Sequence, residues 1–371
     1  MSSPAKTKKA SSLGQLIIPL VALGLLLLFN LIRDPGFYNI SVATNNAGNP
    51  VLSGNIISII DSASELAIIA MGMTLVTAAC GGQDISVGAV GAIAGAFFVI
   101  MMHPQHEAQL STLSSVAWPN VILGVLAAII VAVVFMLFNG MLVAYFKIQP
   151  MIATLILFSC GRSIAYYFLF QVLGVGSIKL DDPIIFAMGK VIPGVPIPTS
   201  IFIVILMGLL IYLVFKRTNL RLYTQAVGIN QKAAQLNGIN PTVVKLLSFV
   251  MLGVCVAVAA IVKCSNLGTL TTKSLMDSIE MDAILAVAIG GNNLGGGKFR
   301  LGGSILGAYT IQTLSTTLNA MQVSPDSMKA YKAIVIIVIM VAGSPVVRKW
   351  LVTQSGRIRT AIRSPQVKEA K

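Results

Sequence analysis

Residues 120–146 read NVILGVLAAIIVAVVFMLFNGMLVAYF and contain no Asp, Glu, Lys or Arg. About 20 mostly apolar residues form a helix long enough to cross a bilayer, so this stretch predicts a membrane-spanning helix. The whole chain of 371 residues has the same character, because 56% of its residues are hydrophobic and only 10% are charged. Soluble domains carry roughly 25% charged residues. The composition therefore excludes a soluble globular enzyme, a disordered protein and a collagen-like fibre.

Nine further apolar segments predict spans of the same kind, so we expect an all-α polytopic membrane protein with about ten transmembrane helices. The sixth span is short, and the second and eighth are interrupted by polar or Gly-rich sequence. In addition to 120–146, the predicted spans are 16–32, 55–80, 85–102, 151–172, 200–215, 246–262, 281–296, 300–320 and 331–347.

The basic residues predict the orientation of these spans. When the N-terminus is placed inside, most of the 26 Lys and Arg residues fall in loops and tails on the cytoplasmic side, as the positive-inside rule requires. Both termini are then cytoplasmic. The expected parts are a tail over 1–15, a transmembrane domain over 16–347 with a cytoplasmic loop at 216–245, and a basic tail over 348–371.

The net charge of +14 would suggest a nucleic-acid partner in a soluble protein. Here the charge follows the topology, so we expect a lipid bilayer as partner and no nucleic acid, with the basic tail against anionic headgroups. The two histidines, His103 and His106, have no carboxylate cluster or third ligand near them in the sequence. We therefore expect no metal site and no cofactor.

Two polar, glycine-rich breaks interrupt the apolar pattern. Residues 80–88 read CGGQDISVG and residues 290–297 read GGNNLGGG, and a helix rich in small residues follows each of them. The similarity indicates a weak internal two-fold repeat. Interrupted helices in matching positions of two repeats are typical of a transport pathway.

Polar side chains in or near the spans are candidates for lining such a pathway, but each also has a structural alternative. Asp84 is well placed to cap the helix that follows it, and a buried arginine can serve a hydrogen-bond network within the bundle. Asn and Gln also join membrane helices to one another. Gln312 and Asn319 are further uncharged candidates for a hydroxyl-rich cargo. The pathway candidates are Asp84, Ser86, Asn139, Arg162, Asn292 and Asn293.

The second break resembles a phosphate-binding loop but lacks its key residues. That motif needs Gly at position 292 and Ser or Thr at position 299, whereas this chain has Asn292 and Phe299. We therefore predict no nucleotide-binding site and a transport subunit rather than an enzyme.

The loop at 216–245 carries clear helix signals. Asn230 is a good N-cap for a short helix over 231–237, and Gly238 is a suitable stop after it. Asn240 then caps the next helix, which begins with Pro241. We expect Ala233, Ala234 and Leu236 to form a small exposed apolar knob.

This loop resembles the coupling loop of ABC importer permeases. Its pattern Ala-Val-Gly-x-Asn-x-x-Ala-Ala-x-x-x-Gly-Ile-Asn over 226–240 is similar to the monosaccharide branch, which includes ribose, xylose and galactose-type permeases. Residues 70–76, 81–88 and 285–291 match the same branch. The stretch 147–157, with Gly161-Arg162, looks most like the galactofuranose-type permease.

The resemblance implies a permease subunit of an ATP-driven importer of monosaccharides, with furanose forms among the possible cargoes. Its implied partners are cytoplasmic ATP-binding subunits, an external sugar-binding protein and a second permease subunit, identical or different. It also implies location in a bacterial plasma (inner) membrane. The residues implied to couple to the ATPase are Gly228, Asn230, Ala233, Ala234, Leu236 and Gly238.

Two other functions remain open at this point. A self-sufficient secondary sugar transporter would need ion-coupling carboxylates within its spans, and Asp84, Glu280 and Asp282 are the candidates. A membrane-embedded transferase is disfavoured, because histidine is scarce and no catalytic set is clustered in the sequence.

Overall fold

A computed structural model describes residues 12–44, 50–103, 112–113, 116–190 and 196–343. The predicted tail 348–371, most of the predicted tail 1–15, and His106 lie outside these residues. The chain divides into two compact units, Met1–Ala320 and Met321–Lys371.

The described residues are mostly helical. The helices are α1 (Ser12–Arg33), α2 (Asn55–Cys80), α3 (Val87–Met102), α4 (Trp118–Ala144), α5 (Pro150–Leu173), α6 (Pro183–Ala187), α7 (Thr199–Arg217), α8 (Leu220–Ile229), α9 (Gln231–Leu236), α10 (Pro241–Leu267), α11 (Ile279–Ile289), α12 (Leu301–Ala320) and α13 (Pro325–Gly343). A 3-10 turn covers Pro35–Tyr38, and the strands are β1 (Ser41–Thr44), β2 (Pro50–Ser53), β3 (Thr112–Leu113), β4 (Ser177–Leu180) and β5 (Thr269–Thr271).

Each of the ten predicted spans contains a helix. Among the described residues, five helices are both long and apolar enough to cross a membrane, namely α2, α4, α5, α7 and α10. This indicates a multi-pass membrane protein. The eighth predicted span is only partly helical, because α11 ends at Ile289 and the chain then turns through its glycines. The predicted interruption of the second span was wrong, because α2 is one continuous helix over all of 55–80.

Helix α2 lies at the centre of the first unit and packs against α7, α10, α11 and α12. It is buried continuously from Ala63 to Ala79. Glycine permits its close approach to α10, since a Cβ atom at Gly72 would lie 2.9 Å from the Cα of Leu252. Small residues at such crossings are typical of membrane helices, which are held by packing rather than by exclusion from water. Outer helices such as α4 and α7 instead expose apolar side chains suited to lipid.

Three loops that the sequence places outside the membrane meet in one small sheet. Strand β4 pairs in parallel with β3, Thr112 opposite Lys179, and antiparallel with β5, Lys179 opposite Thr269. The backbone N–H of Val116 donates to Asp182 at 2.8 Å, which ties two of these loops together. These three predicted outer loops therefore lie together in the first unit.

We predict that Gly307→Ala destabilises the protein, because its new Cβ would collide with the carbonyl oxygen of Ala286 and lie 3.1 Å from that residue's Cα. Overpacking of this kind costs about 1–3 kcal/mol. Gly302→Ala in the same helix is the matched control, since a Cβ there meets nothing within 4 Å. Thermal unfolding of the purified variants in detergent should show a lower midpoint for Gly307→Ala only, and equal midpoints would contradict this account of α11–α12 packing.

Candidate functional site

The first break brings three pathway candidates into one buried network. The carboxylate of Asp84 accepts hydrogen bonds from the backbone N–H and the hydroxyl of Ser86, both at 2.6 Å. The amide of Asn139, on α4, donates to the Ser86 hydroxyl at 2.8 Å. All three residues are fully buried. Asp84 thus holds the residue that precedes α3, but it does not cap the helix, because α3 begins at Val87 and no side chain bonds to its first N–H groups.

The second break is held by Asn292. Its amide nitrogen donates to the carbonyl of Val287 at 3.1 Å and to the hydroxyl of Ser304 at 2.8 Å, and its oxygen accepts from the N–H of Arg300 at 2.7 Å. These bonds tie the end of α11 to the start of α12. Asn293 is exposed and bonds within the turn, donating to the carbonyl of Gly296 at 3.1 Å.

The two breaks touch each other. The N–H of Gly297 donates to the carbonyl of Ala78 at 3.0 Å, and the amide of Gln83 donates to the carbonyl of Leu294 at 3.1 Å. A Cβ atom at Gly296 would lie 3.0 Å from the Cα of Gly81. The sequence indicated two similar breaks, whereas their contact is a property of the fold.

The end of α8 lies against the contact between the two breaks. A Cβ atom at Gly228 would lie 2.6 Å from the amide nitrogen of Gly297 and would overlap the carbonyl oxygen of Ala78. We call this meeting point of Ala78, Gly81, Gly228 and Gly297 the glycine junction. It joins the loop after α7 directly to both helix breaks.

The predicted caps around α9 are confirmed. The side-chain oxygen of Asn230 accepts from the N–H of Ala233 at 3.0 Å, and that of Asn240 accepts from the N–H of Thr242 at the same distance. Gly238 has a positive φ of 79°. Such a backbone angle favours glycine at the end of a helix.

The predicted apolar knob is only partly exposed. Leu236 is 90% exposed and Ala233 is also exposed, but Ala234 is buried in a cluster with Leu220 and Val244. The prediction for Ala234 was therefore wrong. Its face of α9 turns towards α8 and α10, because so short a helix needs packing to hold it.

A polar chamber of about 400 Å³ lies between α2, α10, α11 and α12. Glu65 is only 1% exposed, and its carboxylate pairs with the ammonium of Lys263 at 2.8 Å. The Asn266 amide bridges the carboxylates of Asp61, at 2.7 Å, and Glu65, at 3.2 Å. Ser200 donates to the other oxygen of Asp61. Each charge thus has a partner, as burial requires.

Arg162 borders this chamber. Its guanidinium donates to the carbonyl of Met276 at 3.1 Å and lies 3.8 Å from the carboxylate of Asp277. Both of these residues line the chamber, as does Gln312. Met276 and Ser278 have positive φ angles of 56° and 62°, which L-residues rarely adopt. Arg162 therefore helps to fix a strained turn in the chamber wall.

Comparison with known proteins identifies the family. Residues 55–343 match the family described as "Branched-chain amino acid transport system / permease component". The chain belongs to this permease family. The matched range contains both breaks, the glycine junction, α9 and the chamber, so the whole candidate site lies within the permease domain.

Several permeases resemble this one along most of their length. The galactofuranose transporter permease protein of Escherichia coli (strain K12) is 36% identical over 88% of each chain. The fructose import permease protein of Bifidobacterium longum (strain NCC 2705) is 33% identical over 88% of this chain and 86% of its own. The ribose import permease protein of Haemophilus influenzae is 32% identical over 78% and 84%. No solved structure gives a significant match.

Two acidic residues of α2, Glu65 in the chamber wall and Asp61 beside it, were not predicted from the sequence as functional residues. Asp61 and Glu65 were not among the carboxylates considered, although both lie in a predicted span and four residues apart, on one helix face. An ionisable residue within a span is by default a functional hypothesis, so this spacing was the available signal. Their pairing with Lys263 and Asn266 could not be predicted from the sequence, because about 200 residues separate the partners along the chain.

We predict that Lys263→Met destabilises the permease by about 3 kcal/mol, because it leaves the buried carboxylate of Glu65 without its counter-charge. The double variant Glu65→Gln/Lys263→Met should recover part of the loss. Lys179→Met removes an exposed ion pair with Asp181, which should contribute little, and is the control. Unfolding midpoints measured in detergent decide the matter; a Lys263→Met variant as stable as Lys179→Met would refute the assignment.

Proposed function

We propose that this permease is the transmembrane subunit of an ATP-driven importer of monosaccharides. The observation that carries the proposal is that three similar permeases are named for sugars, namely galactofuranose, fructose and ribose. The motifs around the breaks and α9 support the same branch. Since the galactofuranose relative is the most similar of these three, we propose a sugar in furanose form as cargo.

The proposed assembly contains two permease subunits, identical or different, two cytoplasmic ATP-binding subunits and an external sugar-binding protein in a bacterial inner membrane. We further propose ten spans with both termini in the cytoplasm. Three predicted outer loops meet in the β3–β4–β5 sheet and three predicted inner segments meet at the glycine junction, which supports this topology for the first unit. The domain limits proposed are 1–15, 16–347 and 348–371.

Within this permease, the chamber is our candidate for contact with the cargo. Its volume of about 400 Å³ is within the roughly 300–1,000 Å³ typical of small-molecule sites. Ser62, Ser274 and Gln312 offer hydroxyl and amide groups to a sugar, and the Glu65–Lys263 pair offers charged ones. Arg162 would hold the wall of this pathway.

The remaining pathway candidates would act by holding the two breaks. Asp84, Ser86 and Asn139 fix the first break. Asn292 and Asn293 fix the second. We therefore propose that they set the positions of α3 and α12 rather than contact the sugar.

The coupling route begins at the exposed surface of α9. Leu236 and Ala233, with Ile229 beside them at 75% exposure, would dock on the ATP-binding subunit. The caps Asn230 and Gly238 keep this segment in shape. Movement of α9 then reaches α8 and, through Gly228, both breaks at once.

The test of function is sugar uptake into proteoliposomes. The full chain, reconstituted with its proposed ATP-binding subunits, sugar-binding protein and second permease subunit, should take up a labelled monosaccharide only with internal ATP and external binding protein. Furanose forms should compete best. Uptake by the chain alone, driven by an ion gradient, would support the secondary transporter instead.

We predict that Gly228→Ala lowers ATP-dependent uptake at least ten-fold while the ATP-binding subunit still co-purifies with the permease. The added methyl group would push α8 away from Ala78 and Gly297, whereas the substitution replaces none of the exposed residues of α9. Gly208→Ala is the control, since its nearest neighbour is the Met71 sulfur at 3.9 Å. Parent-level uptake by Gly228→Ala would exclude the glycine junction from the coupling route.

A further inference from the structure

A second cavity, of about 530 Å³, opens beside α1, α7 and the start of α12. It is separate from the chamber and has a different character. Three basic residues line it, Lys216 at the end of α7, Arg221 on α8 and Arg300 just before α12. We call it the basic groove.

The charge of the basic groove is not neutralised within the described part of the chain. No carboxylate there lies within ion-pair distance of the three cations, whereas Lys263, Arg162 and Lys179 all have such partners. The guanidinium of Arg221 lies 5.9 Å from the ring centre of Phe299, which itself packs edge-on against Phe215. The groove therefore has three positive charges beside two packed aromatic rings, and an anionic ligand would neutralise those charges.

The remaining walls are apolar. Leu16 of α1 and Leu301 of α12 border the groove, and Tyr212 of α7 is 58% exposed at its edge. Leu209 and Leu213, in the adjacent turn of α7, are also exposed. An apolar helix surface thus continues from the basic residues into the membrane-spanning part of α7. Tyr is enriched at this level of a membrane, where polar and apolar surroundings meet.

We propose that the basic groove binds an anionic phospholipid, with its phosphate between Lys216, Arg221 and Arg300 and an acyl chain along α7. Basic pockets between transmembrane helices recognise lipid headgroups in this way. A free phosphate would satisfy the cations but would leave the apolar wall in contact with water. A phospholipid would neutralise the cations with its phosphate and cover the apolar wall with an acyl chain. The site is independent of the proposed cargo and of its chamber.

Fluorescence quenching tests the proposal in the full chain. Tyr212→Trp, with Trp118 and Trp350 replaced by Phe, places one reporter at the edge of the groove. In mixed micelles, brominated phosphatidylglycerol should quench it several-fold more strongly than brominated phosphatidylcholine. The groove variant Lys216→Gln/Arg221→Gln/Arg300→Gln should lose this preference, with an apparent affinity lower by about five-fold per removed charge.

A matched control variant distinguishes lipid binding at the groove from a general effect of surface charge. Lys147→Gln/Arg217→Gln/Lys298→Gln removes three cations outside the groove and should keep the preference for phosphatidylglycerol. If the triple groove variant does not fold, Arg300→Gln alone should still show the five-fold loss. Millimolar inorganic phosphate should not displace the lipid. Equal quenching by both lipids, equal loss in both variants, or full displacement by phosphate would each overturn the proposal.

Discussion

The hydrogen bond from the N–H of Gly297 to the carbonyl of Ala78, 3.0 Å long, joins the two helix breaks of this permease. A break between helices leaves backbone N–H and C=O groups without helical partners, and where the break is buried these groups need partners within the protein. Here each break supplies partners for the other. The glycines at the contact are a consequence, because any side chain there would hold the two backbones apart.

The same contact explains where α8 lies. Its last turn rests on the junction through Gly228, and Leu220 and Val227 anchor it to the end of α2 through Ala79. The segment α8–α9, which carries the exposed Leu236, is therefore connected to both breaks. Because backbone contacts backbone, with no flexible side chain between, a displacement of α8 cannot be absorbed locally.

Burial also determines which charged side chains of the first unit have partners within the protein. Two ionisable side chains within the bundle have charged or carbonyl partners, Glu65 with Lys263 and Arg162 with the turn at Met276. Unpaired cations occur at the basic groove, at the polar end of α7, where lipid headgroups can supply the opposite charge. Buried charges such as Glu65 therefore bind other parts of the protein, whereas the exposed cations of the basic groove are available to lipid.

The sequence by itself determined the features that depend on near neighbours. Apolar runs predicted the spans, Asn230 and Asn240 predicted the helix starts around α9, and Gly-Gly pairs predicted the breaks, because hydrophobicity, caps and turns act within a few residues. Tertiary structure decided what depends on distant partners. It buried Ala234, brought Gly228 onto both breaks, and paired Glu65 with Lys263 and Asn266, some 200 residues away. Which helices pack together fixes these contacts, and no local pattern in the sequence encodes that choice.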